Sequence, residues 1–475
     1  MSIIIPANSA VGGGFEVANS ARFNRGSSDS LTRTLGTPTN NKKWTYSFWV
    51  KQSLIDVDQY LLNTGSDTSY IYFRPSNANP APFGFSIEQY VGGFQYRIIP
   101  NMVFRDPSAW RHIVIAFDTT QGTDTNRVKV YDNGTQITSF NTASYPSQNL
   151  DTQTNSALAH KIGGYSSGGY LGGYLSEVCF IDGQQLAADS FGEFDEDSGV
   201  WKPIESVADL TFGNNGFYLD FEDSSALGND AAGSNNFTVN NLTAVDQSTD
   251  TCTNNFATMN PLENFYSNFT FSEGNLSVVS GANGYFSPIL STIGIPATSG
   301  KWYCEVKFDV ASTTVYSFIG ITGSPITQTN LNIGGRTYGY AYIYNGQKYN
   351  NNSGSSYGNG YVEGDIIGIA VDATNSKIYF SKNGTWQNSG NPESGSTGTG
   401  AAFTISTTPT QGFYFFGCSD DNNGTGTSAW SWNFGNPPYA ISSGNADGNG
   451  RGNFEYAVPS GYLSLCTKNL SKALS

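Results

Sequence analysis

Trp110-Arg111-His112-Ile113-Val114-Ile115-Ala116-Phe117-Asp118, then a short polar loop, then Arg127-Val128-Lys129-Val130-Tyr131-Asp132-Asn133-Gly134-Thr135: the reading of this chain turns on that stretch. An apolar run ending in Asp is followed by an alternating strand and an Asn-Gly pair. Asn-Gly is favoured where both central residues of a turn need positive φ, so the stretch predicts a β-hairpin. The chain uses the pattern twice. Gly364-Asp365-Ile366-Ile367-Gly368-Ile369-Ala370-Val371-Asp372 leads into Lys377-Ile378-Tyr379-Phe380-Ser381-Lys382-Asn383-Gly384-Thr385. One device built twice predicts an all-β protein of two tandem antiparallel β-sandwiches, a class that binds more often than it transforms.

Composition agrees. The 475 residues exceed what one core serves and suit two domains. Gly accounts for 55 positions and charged residues for only 13%, while aromatics reach 14%. Gly, Asn, Ser and Thr punctuate short Tyr/Phe/Val/Ile runs, as in all-β chains, and a disordered chain would lack the aromatics. Helix is expected only in short pieces such as 186–191. The net charge of −15, without Lys/Arg clusters, argues against a nucleic-acid partner and against an anionic membrane surface. No apolar run approaches the roughly 20 residues that span a bilayer. Ile3-Ile4-Ile5, interrupted by Pro6, is too short for a signal-peptide core. Cys179, Cys252, Cys304, Cys418 and Cys466 are odd in number and widely spaced, which predicts buried free thiols rather than a disulfide framework or zinc site.

In the first 200 residues, Trp44-Thr45-Tyr46-Ser47-Phe48-Trp49-Val50-Lys51 places Trp44, Tyr46, Phe48 and Val50 on one face. The Asn133-Gly134 hairpin, Lys161-Ile162-Gly163-Gly164 and Gly173-Tyr174-Leu175-Ser176-Glu177-Val178-Cys179-Phe180-Ile181-Asp182-Gly183 follow. This order resembles a laminin-G-like, concanavalin-type jelly roll, a superfamily of sugar binders, calcium-dependent adhesion modules and glycosidases. The carboxylate pair of the glycosidases is not found here, and Glu193-Phe194-Asp195-Glu196-Asp197 has the wrong place and spacing, reading instead as a solvated acidic face. Two binding features stand out. Asp118 and Asp132 would offer oxygens to calcium, or cap their turns by local hydrogen bonds. Tyr165, Tyr170 and Tyr174 in a Gly-rich run would stack on sugar rings, or pack at an edge.

Residues 201–260 change character. Gly216-Phe217-Tyr218-Leu219-Asp220-Phe221 reads as a short strand and Phe237-Thr238-Val239 as another, but the Asn, Asp and Thr around them carry hardly any apolar pattern, which predicts an extended connector lying on another surface. The segment resembles one found in virion proteins of tailed bacteriophages. The Asn-X-Ser/Thr triplets, Asn423 among them, read as Asn-rich turns rather than glycan acceptors.

Residues 261–439 carry Gly300-Lys301-Trp302-Tyr303-Cys304-Glu305-Val306, Phe318-Ile319-Gly320-Ile321, the second hairpin and Trp430-Ser431-Trp432-Asn433-Phe434-Gly435. In order, spacing and residue type they resemble a SPRY (B30.2-like) domain, a fold that binds proteins or peptides through its loops. Tyr338, Tyr340, Tyr342 and Tyr344 share one face by period-two alternation, which makes them a stacking ladder if outward and core if inward. Trp386 reads as structural. The tail at 440–475 ends Pro459-Ser460-Gly461-Tyr462-Leu463-Ser464-Leu465-Cys466-Thr467-Lys468-Asn469-Leu470, again resembling the phage virion proteins.

A Ser/His/Asp triad would need His112 or His160, and His112 sits mid-strand where packing is its expected role. No enzyme is expected. The resemblances imply a virion structural protein, a tail fibre or capsid fibre made in the host cytoplasm and displayed on the particle surface. It would bind a host-surface glycan or protein and other virion proteins, without membrane insertion, as a homo-oligomer, by resemblance a trimer. The alternative is a capsid decoration or cement protein that binds only virion subunits. The candidate binding residues are Tyr165, Tyr170, Tyr174, Tyr338, Tyr340, Tyr342 and Tyr344, with Asp118 and Asp132 for calcium.

Overall fold

The computed structural model describes residues 14–473 apart from 66, 167, 267, 282–287, 311–316, 328–329 and 421–426; Ile3 to Pro6 and Asn423 lie outside the described residues. The chain packs as two compact units, Ala7–Asn255 and a second running from Phe256. Both are antiparallel β-sandwiches, and the helices among the described residues are short.

The strands of the first unit are β1 (Ser20–Phe23), β2 (Ser30–Thr34), β3 (Lys43–Gln52), β4 (Gln59–Thr64), β5 (Ser69–Phe73), β6 (Phe85–Tyr90), β7 (Phe94–Pro100), β8 (Arg111–Asp118), β9 (Val128–Asp132), β10 (Thr135–Gln136), β11 (Phe140–Ser144), β12 (Ala159–Ile162), β13 (Gly173–Asp182), β14 (Gly192–Phe194), β15 (Trp201–Pro203), β16 (Phe217–Leu219), β17 (Thr238–Asn240) and β18 (Gln247–Ser248). One sheet runs β10-β9-β8-β3-β13-β1-β18, with β16 also on β13; the other runs β11-β7-β6-β5-β4-β12-β2-β17. Alternation along β3 sends Trp44, Tyr46, Phe48 and Val50 into the core between the sheets, where Leu62, Ile71, Phe85, Ile87 and Ile98 meet them. A short 3-10 turn at Ala188–Ser190 is all the helix formed within 186–191.

Both Asn-Gly pairs form the turn their sequence predicts. Asn133 and Gly134 have φ of 45° and 78°, Asn383 and Gly384 of 47° and 77°. In each, the Asn side-chain oxygen accepts a backbone N–H from the start of the hairpin's apolar strand, His112 or Ile366, at 2.9 Å.

Residues 201–255 differ from the extended connector read from sequence, because they complete the first sandwich. β16 pairs with β13, β17 with β2 and β18 with β1. Phe217, Leu219, Phe221, Leu227, Phe237 and Leu242 are part of its core. Strands of two or three residues are too short to show a period, and their apolar anchors are scattered among turns.

In the second unit, Lys301–Val310 lies between Ile366–Asp372 and Ala429–Asn433 in one sheet, and Phe318–Thr322 between Gly339–Ile343 and Phe413–Ser419 in the other. The core joins Trp302, Val306, Ile319, Ile369, Phe380, Phe416, Trp430 and Trp432. The tail also packs on this unit. Leu463–Ser464 pairs parallel to Lys301–Val310, and a helix follows at Thr467–Ala473. The five cysteines are buried, and none of them is in a disulfide. Among the described residues no helix is long and apolar enough to cross a membrane.

Candidate functional site

A binding face must be left open by the fold, and among the described residues three of the four outer sheet faces are packed over. In the first unit, Trp49, Trp110, Val114, Tyr174 and Ile181 on the β8-β3-β13 sheet are covered by Phe191, Trp201, Val207 and Cys252. In the second unit, Tyr303, Ala370 and Tyr379 lie under Phe454 and Tyr462 of the tail. Its other sheet packs Phe318, Ala341 and Ile343 against Ile333 and Tyr349. The outer face of the β4–β7 sheet of the first unit carries half-buried tyrosines and polar groups instead.

Register builds that face. Tyr60 pairs with Tyr72 and Asn63 with Tyr70; Asn63 pairs with Lys161, Lys161 with Thr32, and Thr32 with Thr238. Cross-strand partners share a face, so these side chains form one band across five strands. A groove of about 420 Å³ lies along it, lined by Thr32, Arg33, Asn63, Lys161, Ser166 and Thr238 among others. Among the described residues, Asn63 Oδ1 and Arg33 Nε are buried and without a hydrogen-bond partner.

At the end of the groove four tyrosines gather. Tyr60 stacks on Tyr72 with ring centres 4.8 Å apart and lies 4.9 Å from Tyr165; Tyr70 is 5.9 Å from Tyr60 and 6.0 Å from Tyr165. Tyr165 comes from the loop after β12, and that loop closes on Tyr60 through Gly169. There φ is +57° and a Cβ would stand 2.5 Å from the Tyr60 ring. Beside the cluster, Glu88 accepts from Arg97 Nε at 2.9 Å and from the Tyr72 hydroxyl at 3.3 Å, and Arg74 donates to that hydroxyl at 3.0 Å. Burial, with the neighbouring Tyr165 and Asp67, pushes the Tyr70 phenol up to about 12, so it stays a neutral donor.

The structure brings Tyr165 into this cluster and sets Tyr170 nearby, its ring under Lys161 Nζ at 5.7 Å. Tyr174 does not join them. It is fully buried on the other sheet, beside Trp110, because alternation along β13 turns it toward the covering segments. The second-unit ladder is corrected too. Tyr340 and Tyr342 point into the sandwich core, and Tyr338 and Tyr344 pack half-buried against its rim. Tyr342 donates its hydroxyl to Asn359 O, and the Tyr340 hydroxyl accepts from Ser406 N. Tyr60, Tyr70 and Tyr72 are functional candidates that the sequence reading missed. The alternation in Ser69-Tyr70-Ile71-Tyr72-Phe73 is the signal that marks two of them as outward.

Asp118 and Asp132 cannot hold one calcium ion. Asp132 pairs with Ile113 near the start of β8 while Asp118 ends it, a separation of roughly 17 Å at about 3.4 Å per residue. Asp118 is a turn cap, accepting from Thr120 N at 3.0 Å and Gln121 Nε2 at 2.8 Å, with Lys43 Nζ at 3.2 Å. Burial raises its pKa, but these bonds outweigh it and hold the carboxyl below its ordinary value. Asp372 in the twin hairpin does the same with Asn375 N at 2.9 Å and Lys301 Nζ at 3.1 Å, which marks both as structural. Asp132 faces Arg111 Nε at 3.6 Å, and burial raises its pKa. Among the described residues no three His, Cys, Asp or Glu side chains gather as a metal site.

His112 forms no catalytic pair, although its Nε2 lies 2.8 Å from Ser47 Oγ. The Trp201 indole N–H donates to Nδ1 at 2.9 Å, so the neutral ring carries its hydrogen on Nε2 and donates to Ser47. The serine therefore faces a donor rather than a base. Burial between Trp49 and Trp201 lowers the His112 pKa to about 3.

Comparison with known proteins follows the division of the fold. Residues 25–188 match the family model of the concanavalin A-like lectin/glucanases superfamily, and residues 301–436 match that of the SPRY domain. Among solved structures, the SPRY domain of human HERC1 is 16% identical, with 37% of this chain and 96% of that one covered at a TM-score of 0.28. A Bacteroides ovatus protein described as carbohydrate binding is 13% identical over 48% of this chain and 59% of its own, with a TM-score of 0.33. A heptameric SAP-like pentraxin from Limulus polyphemus is 14% identical over 37% and 80%, with a TM-score of 0.27. Overlaps this low carry no functional weight, and the family matches stand on their own. The chain is thus similar to the concanavalin A-like superfamily over residues 25–188 and to the SPRY domain over residues 301–436.

Proposed function

We propose that the protein is a non-enzymatic adhesin whose first sandwich holds glycan along the outer face of its β4–β7 sheet. The observation that carries this reading is the Tyr60, Tyr70, Tyr72 and Tyr165 cluster at the end of a polar groove on a sheet face that is not packed over. Tyrosine rings present flat apolar surface to the C–H face of a sugar while hydroxyl, amide and guanidinium groups take its hydroxyls. The concanavalin A-like match favours a lectin-type use of this domain, and the SPRY match favours a protein-binding use of the second. Display on a tailed-phage particle, as a trimeric fibre at its surface, rests on the resemblance of the 216–251 and 459–470 segments alone. Arrayed copies would let weak single sites suffice, since avidity adds about 10²–10⁴.

A glycan array probed with the purified chain, with calcium and again with EDTA, tests this. Selective binding that Tyr60→Ala abolishes supports the reading; a silent array with folded protein overturns it. Tyr90, Val91 and Phe94 stand exposed at the tip of the β6–β7 hairpin and favour the second reading, a cement protein docked on other virion subunits. Tight binding to empty capsids by a glycan-silent protein would select it. Light scattering on a size-exclusion column tests the trimer.

A further inference from the structure

At the buried end of β3, away from the tyrosine groove, three reactive side chains meet. Lys51 Nζ donates to Asp250 Oδ2 at 2.7 Å and to Asn255 Oδ1 at 2.6 Å. The lysine and aspartate side chains are 1% and 0% exposed, and Asn255 is 1% exposed. The surroundings are aromatic. Trp110 Nε1 donates to Asp250 Oδ1 at 2.9 Å, and the Tyr174 ring centre lies 5.6 Å from Lys51 Nζ. Asn255 Nδ2 donates to Ser108 O at 2.7 Å, which fixes the carboxamide with its oxygen toward the lysine.

A buried ion pair alone would need Lys51 and Asp250. Here an electrophilic carbon is held beside the amine as well. With Nζ 2.6 Å from Oδ1, and the C=O bond about 1.23 Å long, Asn255 Cγ lies no more than about 3.8 Å from Nζ, near the 3–3.5 Å of a near-attack arrangement. A carboxylate in hydrogen-bond contact with the ammonium stands ready to take its proton.

We propose that Lys51 and Asn255 join in an intramolecular amide bond, formed by the chain itself with Asp250 as general base and acid. Asp250 takes a proton from the Lys51 ammonium, and the freed Nζ lone pair attacks Asn255 Cγ. The tetrahedral centre collapses as the Cγ–Nδ2 bond breaks, and the departing nitrogen leaves as ammonia with protons returned through Asp250. The ammonium and the carboxamide become one secondary amide and one ammonium ion. One C–N bond forms and one breaks, nothing is oxidised or reduced, and no external reactant is consumed.

The position gives the bond a purpose. Lys51 lies on β3, between β8 and β13 in the middle of its sheet, and Asn255 is the last residue of the first unit. The amide would tie the exit of the unit to its central strand. Tension on the following chain would then pass to β3 without unzipping β18 from β1.

Intact-mass measurement and peptide mapping of the purified full chain test this. The expected result is a mass one ammonia below that of the linear chain, no tryptic cleavage after Lys51, and a branched peptide joining the Lys51 and Asn255 segments. Asp250→Asn, checked for cooperative unfolding, is expected to show the full mass and to lose most of the native chain's resistance to protease. Recovery of Lys51 and Asn255 in separate linear peptides from folded native protein overturns the proposal, whatever the variant does.

Discussion

The Asn133-Gly134 and Asn383-Gly384 turns are the same device under two different lids. A Cβ on Gly134 would stand 2.2 Å from the Trp201 ring, and one on Gly384 would stand 2.6 Å from the Tyr456 ring. In both units a segment that follows the repeated hairpin in sequence folds back over it. The units differ in what lies beneath. The first puts His112 there, wedged between Trp49 and Trp201, and leaves its second sheet open with a tyrosine band. The second has Ile366 at the matching place, turns Tyr340 and Tyr342 into its core, and anchors its tail on Glu305. That carboxylate accepts from Glu455 N at 2.9 Å and Tyr456 N at 2.8 Å. One scaffold thus keeps a half-buried tyrosine band on an outer face in one unit and turns tyrosines into the core in the other, depending on which face its appended segment covers.

The sharpest way to break this comparison is to remove the lids. Trp201→Ala takes a buried ring and the His112 hydrogen bond from the first unit and is expected to destabilise it by about 3–5 kcal/mol. Phe454→Ala, at a fully buried ring of the second unit, is expected to do the same there. Scanning calorimetry should show each variant lowering one transition alone; a joint shift would mean the units unfold together.

Acid sharpens it next. Burial raises the Glu305 pKa from its ordinary 4.5 to about 7, against the lowering by its hydrogen bonds. A raised carboxyl lends stability that is full below the unfolded value and lost as pH rises through the folded one. Both histidines of the chain are in the first unit, so none opposes Glu305 in the second. Between about pH 7.5 and about pH 5 the second unit should gain roughly 2–3 kcal/mol. In the first unit Glu177, raised to about 7 by burial, pushes the same way. His112, lowered to about 3, and His160, also lowered by burial, lend stability that is lost as pH falls below 6.5, so its net change should be smaller. Chemical denaturation at the two pH values checks this, and Glu305→Gln should flatten the slope of the second unit only.

Binding comes third. Tyr60→Ala is expected to weaken glycan binding at least tenfold, about 1.4 kcal/mol, with little change in the unfolding of either unit. Tyr340→Phe in the second unit should leave binding untouched. The smallest effect concerns Asp118. As a turn cap its change to Asn should cost about 1 kcal/mol or less, and EDTA should alter neither wild type nor variant in thermal unfolding.

Much of the architecture was legible because long strands carry their own period. Trp44 to Val50 announces its inward face, and each Asn-Gly pair announces a turn that needs two positive φ values. What the segments that finish each sandwich pack against was not legible. The short strands around Phe217 and Phe237 were visible, but that they join β13 and β2, and that Trp201 meets His112, follows from no local pattern. The candidate site suffered the same way. Tyr165 was visible as a tyrosine in a Gly-rich loop, but its partners Tyr60, Tyr70 and Tyr72 come from other strands.

The amino-acid sequence by itself determined two sandwiches, their order, the turns and the buried cysteines outside any disulfide, since these follow from local alternation, backbone preference and composition. Only the tertiary structure decided which tyrosines are core and which are platform, that Asp118 and Asp132 lie at opposite ends of one hairpin, and that Lys51, Asp250 and Asn255 meet. A strand's alternation says which residues share a face, but what covers that face is set by chain returning from far away.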